Sequence, residues 1–299
     1  MLERLNDLLQ DKHRIHKVID DDGDPTDPAG KINVHARMDF AKSLVSDKKF
    51  DQATQEFLWL WEHMLEHDEA FYAVRLSFLA GDMARLSEQY EPAKVAFTKL
   101  RDAARKEMDA GSEIRDVILD WFTLCEILGD KNGILAWFDQ AKDDMDYADV
   151  ISTMAYKLFD LLVEQRRWAD AGLLEKDPVG AAKMRVDMDK VTSEMNKTHV
   201  QFDAQTKARF AKMHKEGLLK DFAQHYACCL AAELDEEAIE IANIFLDYRD
   251  NPDARIALVQ WAMKMNQPRK EQLQWLDEAA EDGRYVKALR QKVQDALAK

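Results

Sequence analysis

Lys49-Phe50-Asp51-Gln52-Ala53-Thr54-Gln55-Glu56-Phe57-Leu58-Trp59-Leu60 decides the fold when it is set beside Gln89-Tyr90-Glu91-Pro92-Ala93-Lys94-Val95-Ala96-Phe97-Thr98-Lys99-Leu100. With the opening aromatic as position 0, both stretches carry Ala at 3, Phe at 7 and Leu at 10, and Phe50 and Tyr90 stand 40 residues apart. Offsets of 3, 7 and 10 fall on one face of a helix, and a pattern that returns at a fixed interval marks a repeat. The segment before each copy supplies small and apolar residues: Phe40, Ala41 and Leu44 in one, Leu79, Ala80, Gly81 and Ala84 in the other. Small side chains let two helices approach, and large ones seven apart fill the groove between neighbouring hairpins.

The pattern extends in both directions. A third unit reads Val117, Ile118, Trp121, Phe122, Cys125 and Leu128, a turn at Gly129-Asp130-Lys131-Asn132-Gly133, then Ile134, Trp137, Phe138 and Ala141. A fourth has Met154, Ala155, Leu158, Phe159 and Leu162, followed by Trp168, Ala171 and Leu174. Asp177-Pro178 then breaks the phase, and residues 176–217 read as an irregular helical insertion. Within it Met184, Met188, Val191 and Met195 recur at steps of 4, 3 and 4, a narrow helical stripe expected to be a packing seam or core, or else an adaptable binding or dimer face. Two further hairpins and a capping helix fill 218–299, through Phe222, Ala223, Tyr226, Ala227 and Leu230, then Ala238, Ile241, Ala242 and Phe245, and on to Val286, Leu289, Val293 and Leu297. At the other end, residues 1–33 read as an amphipathic helix (Leu2, Leu5, Leu8, Leu9, Ile15, Ile19) and an acidic loop.

Composition agrees with an all-α chain. Among 299 residues there are only 10 Gly and 6 Pro, too few for the turns a sheet protein of this size needs. A net charge of −15 disfavours nucleic acid, because it repels phosphate and the densest basic runs (Lys207, Arg209, Lys212, Lys215) are interrupted. No stretch approaches the ~20 apolar residues of a membrane span. Three cysteines, Cys125, Cys228 and Cys229, lie in apolar helical patterns and are expected to be buried thiols in a reducing compartment. The charged N-terminus is unlike a signal peptide, so a cytoplasmic location is expected.

The hairpins resemble tetratricopeptide repeats. That family pairs a small residue pair in the first helix with a short turn, an aromatic-x-x-Ala and a large residue four positions on; Ala80-Gly81, Tyr90-Glu91-Pro92-Ala93 with Phe97, and Phe50-Asp51-Gln52-Ala53 with Phe57 match it. Arg167-Trp168-Ala169-Asp170-Ala171 keeps the turn but has Glu175 in place of the large residue, and the period of about 40 exceeds the family's ~34. The resemblance implies a right-handed α-solenoid, a superhelix of stacked antiparallel hairpins with four of them in 34–175. It also implies a non-catalytic scaffold or adaptor that binds a neutral or basic protein or peptide, with no cofactor. A homodimer is a further arrangement this allows. First helices of such arrays line a concave groove, which carries over to Met38, Lys42, Arg75, Phe78, Asp82, Arg85, Thr123, Glu126, Tyr156 and Asp160.

Two motifs offer other chemistry. His63-Met64-Leu65-Glu66-His67 has the H-x-x-E-H string of inverted zinc peptidases, with two histidines four apart on one helical face and Glu66 as base; it is the alternative, a zinc-dependent hydrolase. Its place at the end of a hairpin favours ordinary helix-end residues that complement the dipole, and no metal is expected. Asp20-Asp21-Asp22-Gly23-Asp24-Pro25 suggests calcium, but Pro25 and Lys31 occupy the sixth and twelfth positions where an EF-hand needs Gly and Glu. A third class, a peptide-responsive regulator, would use the same groove. Trp59 and Trp61, two apart, cannot face the same way, so one of them is expected at the surface.

Overall fold

The computed structural model describes residues 32–111, 115–198, 203–279 and 283–298, and these are helical with no strand among them. The acidic loop and His13 and His16 therefore lie outside the described residues, as does nearly all of the 1–33 segment. The chain divides into two compact units, Met1–Val150 and Ile151–Lys299. No described helix is long and apolar enough to cross a membrane.

In the first unit α1 (Val34–Ser46) and α2 (Phe50–His67) form a hairpin. A single α turn at Tyr72–Val74 and a π-helical turn at Arg75–Leu79 lead into α3 (Ala80–Gln89), which pairs with α4 (Glu91–Asp109); α5 (Arg115–Leu128) packs on both and continues into α6 (Lys131–Ala141). Ala41, Ala53 and Ala93 are buried to the last atom, so the backbones come close, while Phe57, Leu60, Met64, Met83, Leu86 and Phe97 fill the space between them. The aromatics that open the two matching helices, Phe50 and Tyr90, touch each other with ring centroids 5.5 Å apart. Equivalent repeat positions thus meet in space.

The second unit begins within α7 (Ala148–Glu164), followed by the short α8 (Trp168–Gly172). Residues 176–217 are regular, not irregular: α9 (Pro178–Thr198) and α10 (Ala204–Ala231) occupy nearly all of them. At 28 residues α10 runs about 42 Å, and it packs against α8, α9, α11 (Asp235–Tyr248) and α12 (Pro252–Lys264). The chain closes with α13 (Glu271–Glu278) and α14 (Arg284–Leu297). Phe222 stacks on Phe245 at 4.6 Å, and buried Gln272 donates to the Tyr226 hydroxyl and the Gln267 carbonyl while accepting from Arg269 N.

Five turns share one construction. Lys48, Gly129, Arg166, Glu233 and Asn266 have φ between 57° and 68°. Each donates its N–H three residues back, and the next residue donates five back: Lys49 to Leu44 O, Asp130 to Cys125 O, Arg167 to Leu162 O, Leu234 to Cys229 O and Gln267 to Ala262 O. This is the Schellman closure, which satisfies the orphan carbonyls of the preceding helix. Asp130 and Asn251 cap the next helix from the other side, accepting from Gly133 N and Ala254 N.

Candidate functional site

The ten residues carried over from the repeat resemblance do not form one surface. Met38 and Thr123 are buried in the first unit. Arg75 is buried too, with Nε donating to Trp61 O at 2.9 Å and both Nη donating to the Asp120 carboxylate at 2.7 Å; its guanidinium also covers the Trp61 ring at 4.3 Å. Burial pushes the Asp120 carboxyl above its usual range, outweighing the hydrogen bonds and charge of Arg75. All three are core residues; at Arg75–Leu79 the π-helical turn adds a residue to the register, with Arg75 inward and Phe78 out. Phe78, Arg85 and Glu126 are exposed, Lys42 and Asp82 half-buried, and Arg85 pairs with Asp82 on the same helix.

Tyr156 and Asp160 belong to the second unit, where they border a cleft of about 230 Å³ with Phe159, Glu175, Arg185, Asp221 and His225. Phe159 and His225 stack face to face at 3.8 Å. His225 Nδ1 donates to the Asp221 carbonyl at 2.8 Å, and Arg185 Nη2 donates to His225 Nε2 at 2.8 Å. A ring nitrogen that accepts from a guanidinium carries no proton, so this imidazole is the neutral Nδ1–H tautomer. Arg185 also binds the Glu175 carboxylate, and its Nε lies 3.1 Å from Asp221 Oδ2. Burial would raise the Asp221 carboxyl, but His225 Nδ1, which also lies 3.2 Å from Asp221 Oδ1, and the Arg185 charge hold it below its usual range. Both imidazole nitrogens are thus engaged within the cluster.

The H-x-x-E-H string is also engaged. His67 stacks on Trp59 at 5.4 Å, His63 lies tilted against the same ring at 5.3 Å, and Arg37 covers it at 3.6 Å. His63 Nδ1 lies 3.3 Å from Glu66 Oε1. Among the described residues no three His, Cys, Asp or Glu side chains are grouped to hold a metal ion. Trp61 is buried and Trp59 half-buried beneath Arg37. The three thiols are buried: burial pushes Cys125 and Cys229 up to about 12, and raises Cys228 as well.

The methionine stripe, whose spacing fits either a packing seam or core or else an adaptable binding or dimer face, is turned outward in the structure. Met184, Met188 and Val191 on α9 are 60%, 62% and 60% exposed, and Met195 continues the row at 49%. The opposite face of α9, with Ala182, Val186 and Asp189, is the one packed inward. Phe210 and Met213 add exposed apolar surface on α10. No family model, curated protein or solved structure matches the chain.

Proposed function

We propose that this protein is a non-catalytic interaction module, a right-handed superhelix of stacked tetratricopeptide-like hairpins whose docking face is the outer stripe of α9. Its occupant is an amphipathic helix of a basic partner protein. The observation that carries the reading is the exposure of Met184, Met188 and Val191 in one row. Such a contiguous apolar row is costly to leave in water and marks an interaction surface, and methionine adapts to the shape of what it meets. The 4-3-4 spacing is that of the a and d positions in a coiled-coil seam, so the complementary shape is another helix.

Charge selects the partner. On one flank of the seam stand the carboxylates Asp187 and Glu194. On the other stand Arg185, committed to Glu175 and Asp221, and the uncharged Thr192. A partner carrying Lys or Arg beside its apolar row pairs with those acids, and the net charge of −15 draws it in. A second copy would bring the same acids to those flanking positions, with Lys190 already bonded to Asp187 of its own helix at 2.9 Å. Three reduced, buried thiols suit a cytoplasmic setting.

The test uses two synthetic 21-residue helical peptides, both with Leu at a and d, one with Lys and the other with Glu at e and g, titrated in fluorescence anisotropy. The Lys peptide is expected to bind saturably, more weakly as salt rises, and at least ~10-fold more weakly to a Met188→Asp variant of unchanged circular dichroism. Equal binding of both peptides, or indifference to Met188→Asp, would overturn the reading. Self-association that Met188→Asp abolishes would assign the face to a second copy instead.

A further inference from the structure

The three lysines of the basic run that reads as interrupted in sequence are gathered into one place by the fold. Lys207, Lys212, His214 and Lys215 of α10 line a single pocket of about 540 Å³, together with Ala211, Ser193 of α9 and Arg249, which follows α11. Spacings of 4, 3 and 1 between residues 207, 211, 214 and 215 put them along one helical face, and Lys212 reaches in from its edge. Phe210 and Met213, which interrupt the run in sequence, are not among the residues lining the pocket.

Beneath it lies an organised polar floor. The Asp189 side chain is 1% exposed; its Oδ2 accepts from the Tyr248 hydroxyl at 2.6 Å and from Arg249 Nη2 at 2.8 Å. His214 Nδ1 lies 3.0 Å from Oδ1 without the alignment of a hydrogen bond, and Arg249 Nε is buried without an acceptor among the described residues. Asp189 thus fixes Arg249 and His214 while cancelling only one positive charge. Of the lysines, Lys215 reaches Asp253 at 3.4 Å and Lys212 reaches Glu216 at 3.9 Å, both exposed pairs that solvent weakens. Lys207 has no carboxylate partner among the described residues. A chain of net charge −15 therefore holds a locally cationic concavity whose walls are the methylene stems of lysines and the Ala211 methyl.

We propose that this pocket is a binding site for an organic phosphate monoester, with the dianion held by Lys207, Lys212, Lys215 and Arg249 and the organic group lying along the lysine stems. Lys207 and Arg249 stand beside Lys215 and Lys212, whose own partners Asp253 and Glu216 are exposed and held only weakly, and a tetrahedral dianion, which accepts from several donors at once, competes with those carboxylates better than a planar monoanion does. Ser193 supplies a hydroxyl at the edge. The site lies on α10 and the inward side of α9, away from the exposed methionine row, so its occupancy and that of the row can be measured separately.

The experiment is isothermal titration of the full chain with phenyl phosphate, inorganic phosphate and benzoate. Phenyl phosphate is expected to bind one site at ~1 mM or tighter, falling with salt, and benzoate at least ~10-fold more weakly. Lys207→Gln, at a half-buried position, and Lys212→Gln, at an exposed one, should each weaken it several-fold while leaving the Lys-peptide titration unchanged. Absence of saturable binding, equal affinity for benzoate, or full affinity in both variants would overturn the proposal. Inorganic phosphate binding as tightly as the ester would overturn the assignment of an organic group.

Discussion

At Arg75 the guanidinium is bonded to Trp61 O and to both oxygens of Asp120 and lies on the Trp61 ring, all inside the first unit. Truncating it leaves Asp120 charged, half-buried and unpaired. Arg75→Ala is expected to cost ~3–5 kcal/mol in urea denaturation, whereas Arg85→Ala, at an exposed position, should stay within ~0.5 kcal/mol. Because desolvation already outweighs the attraction at Asp120, the double variant Arg75→Met/Asp120→Leu should recover most of the loss. Asp189 makes the matching case in the second unit. Burial alone would raise its carboxyl, but the Tyr248 and Arg249 hydrogen bonds and the Arg249 charge hold it below its usual range. A depressed carboxyl stabilises the fold fully above the unfolded pKa of ~3.9 and loses that contribution as pH falls through the folded value. The Tm difference between wild type and Asp189→Asn should therefore be constant from pH 7 to 5 and shrink below about pH 4. A difference that grows toward acid would contradict the network.

At the scale of elements, the five Schellman closures put Lys48, Arg166, Glu233 and Asn266 in the left-handed region, where a Cβ is crowded. Lys48→Gly, Arg166→Gly and Glu233→Gly are each expected to raise stability by up to ~1 kcal/mol, and Gly129→Ala to lower it by about as much. Denaturant midpoints that move the other way would show that these side chains hold their turns. The same residues explain what the sequence conceals. Gly129 announces its turn, but Lys48, Arg166 and Glu233 carry no backbone signal; the aromatics Phe50 and Trp168 reveal the first two hairpins, and only the later Ala238 and Ile241 reveal the third. The helices themselves were legible, down to the buried Phe57, Phe97 and Phe138, because large residues seven apart can face only one way. α9 was not. It has an apolar row on each side, and the row that packs inward includes the charged Asp189 while the outer one is wholly Met and Val. Hydrophobicity alone assigns those faces in reverse, since the deciding groups, Tyr248 and Arg249, lie about 60 residues away along the chain.

At the scale of the molecule, a period of about 40 suggests one unbroken array through residue 175, yet the two compact units part at Val150–Ile151 within α7. Nothing in the local pattern of Ala148–Glu164 marks a boundary; it is set by which distant helices each half of the chain touches, which periodicity does not encode. In the second unit one close approach sets how tightly helices can pack. A Cβ at Gly172 would lie 2.3 Å from the Cys228 carbonyl oxygen, so α8 meets α10 with no room for a methyl group. Gly172→Ala is expected to destabilise that unit by ~1–3 kcal/mol. The distribution of sulfur provides the means to see it. Cys125 is sealed in one unit and Cys228 and Cys229 in the other, each reluctant to ionise. A thiol-seeking reagent therefore acts as a built-in clock for momentary opening, with one dial in each half and no probe to engineer. In Gly172→Ala the dial at Cys228 and Cys229 should run fast, while the one at Cys125 keeps wild-type time.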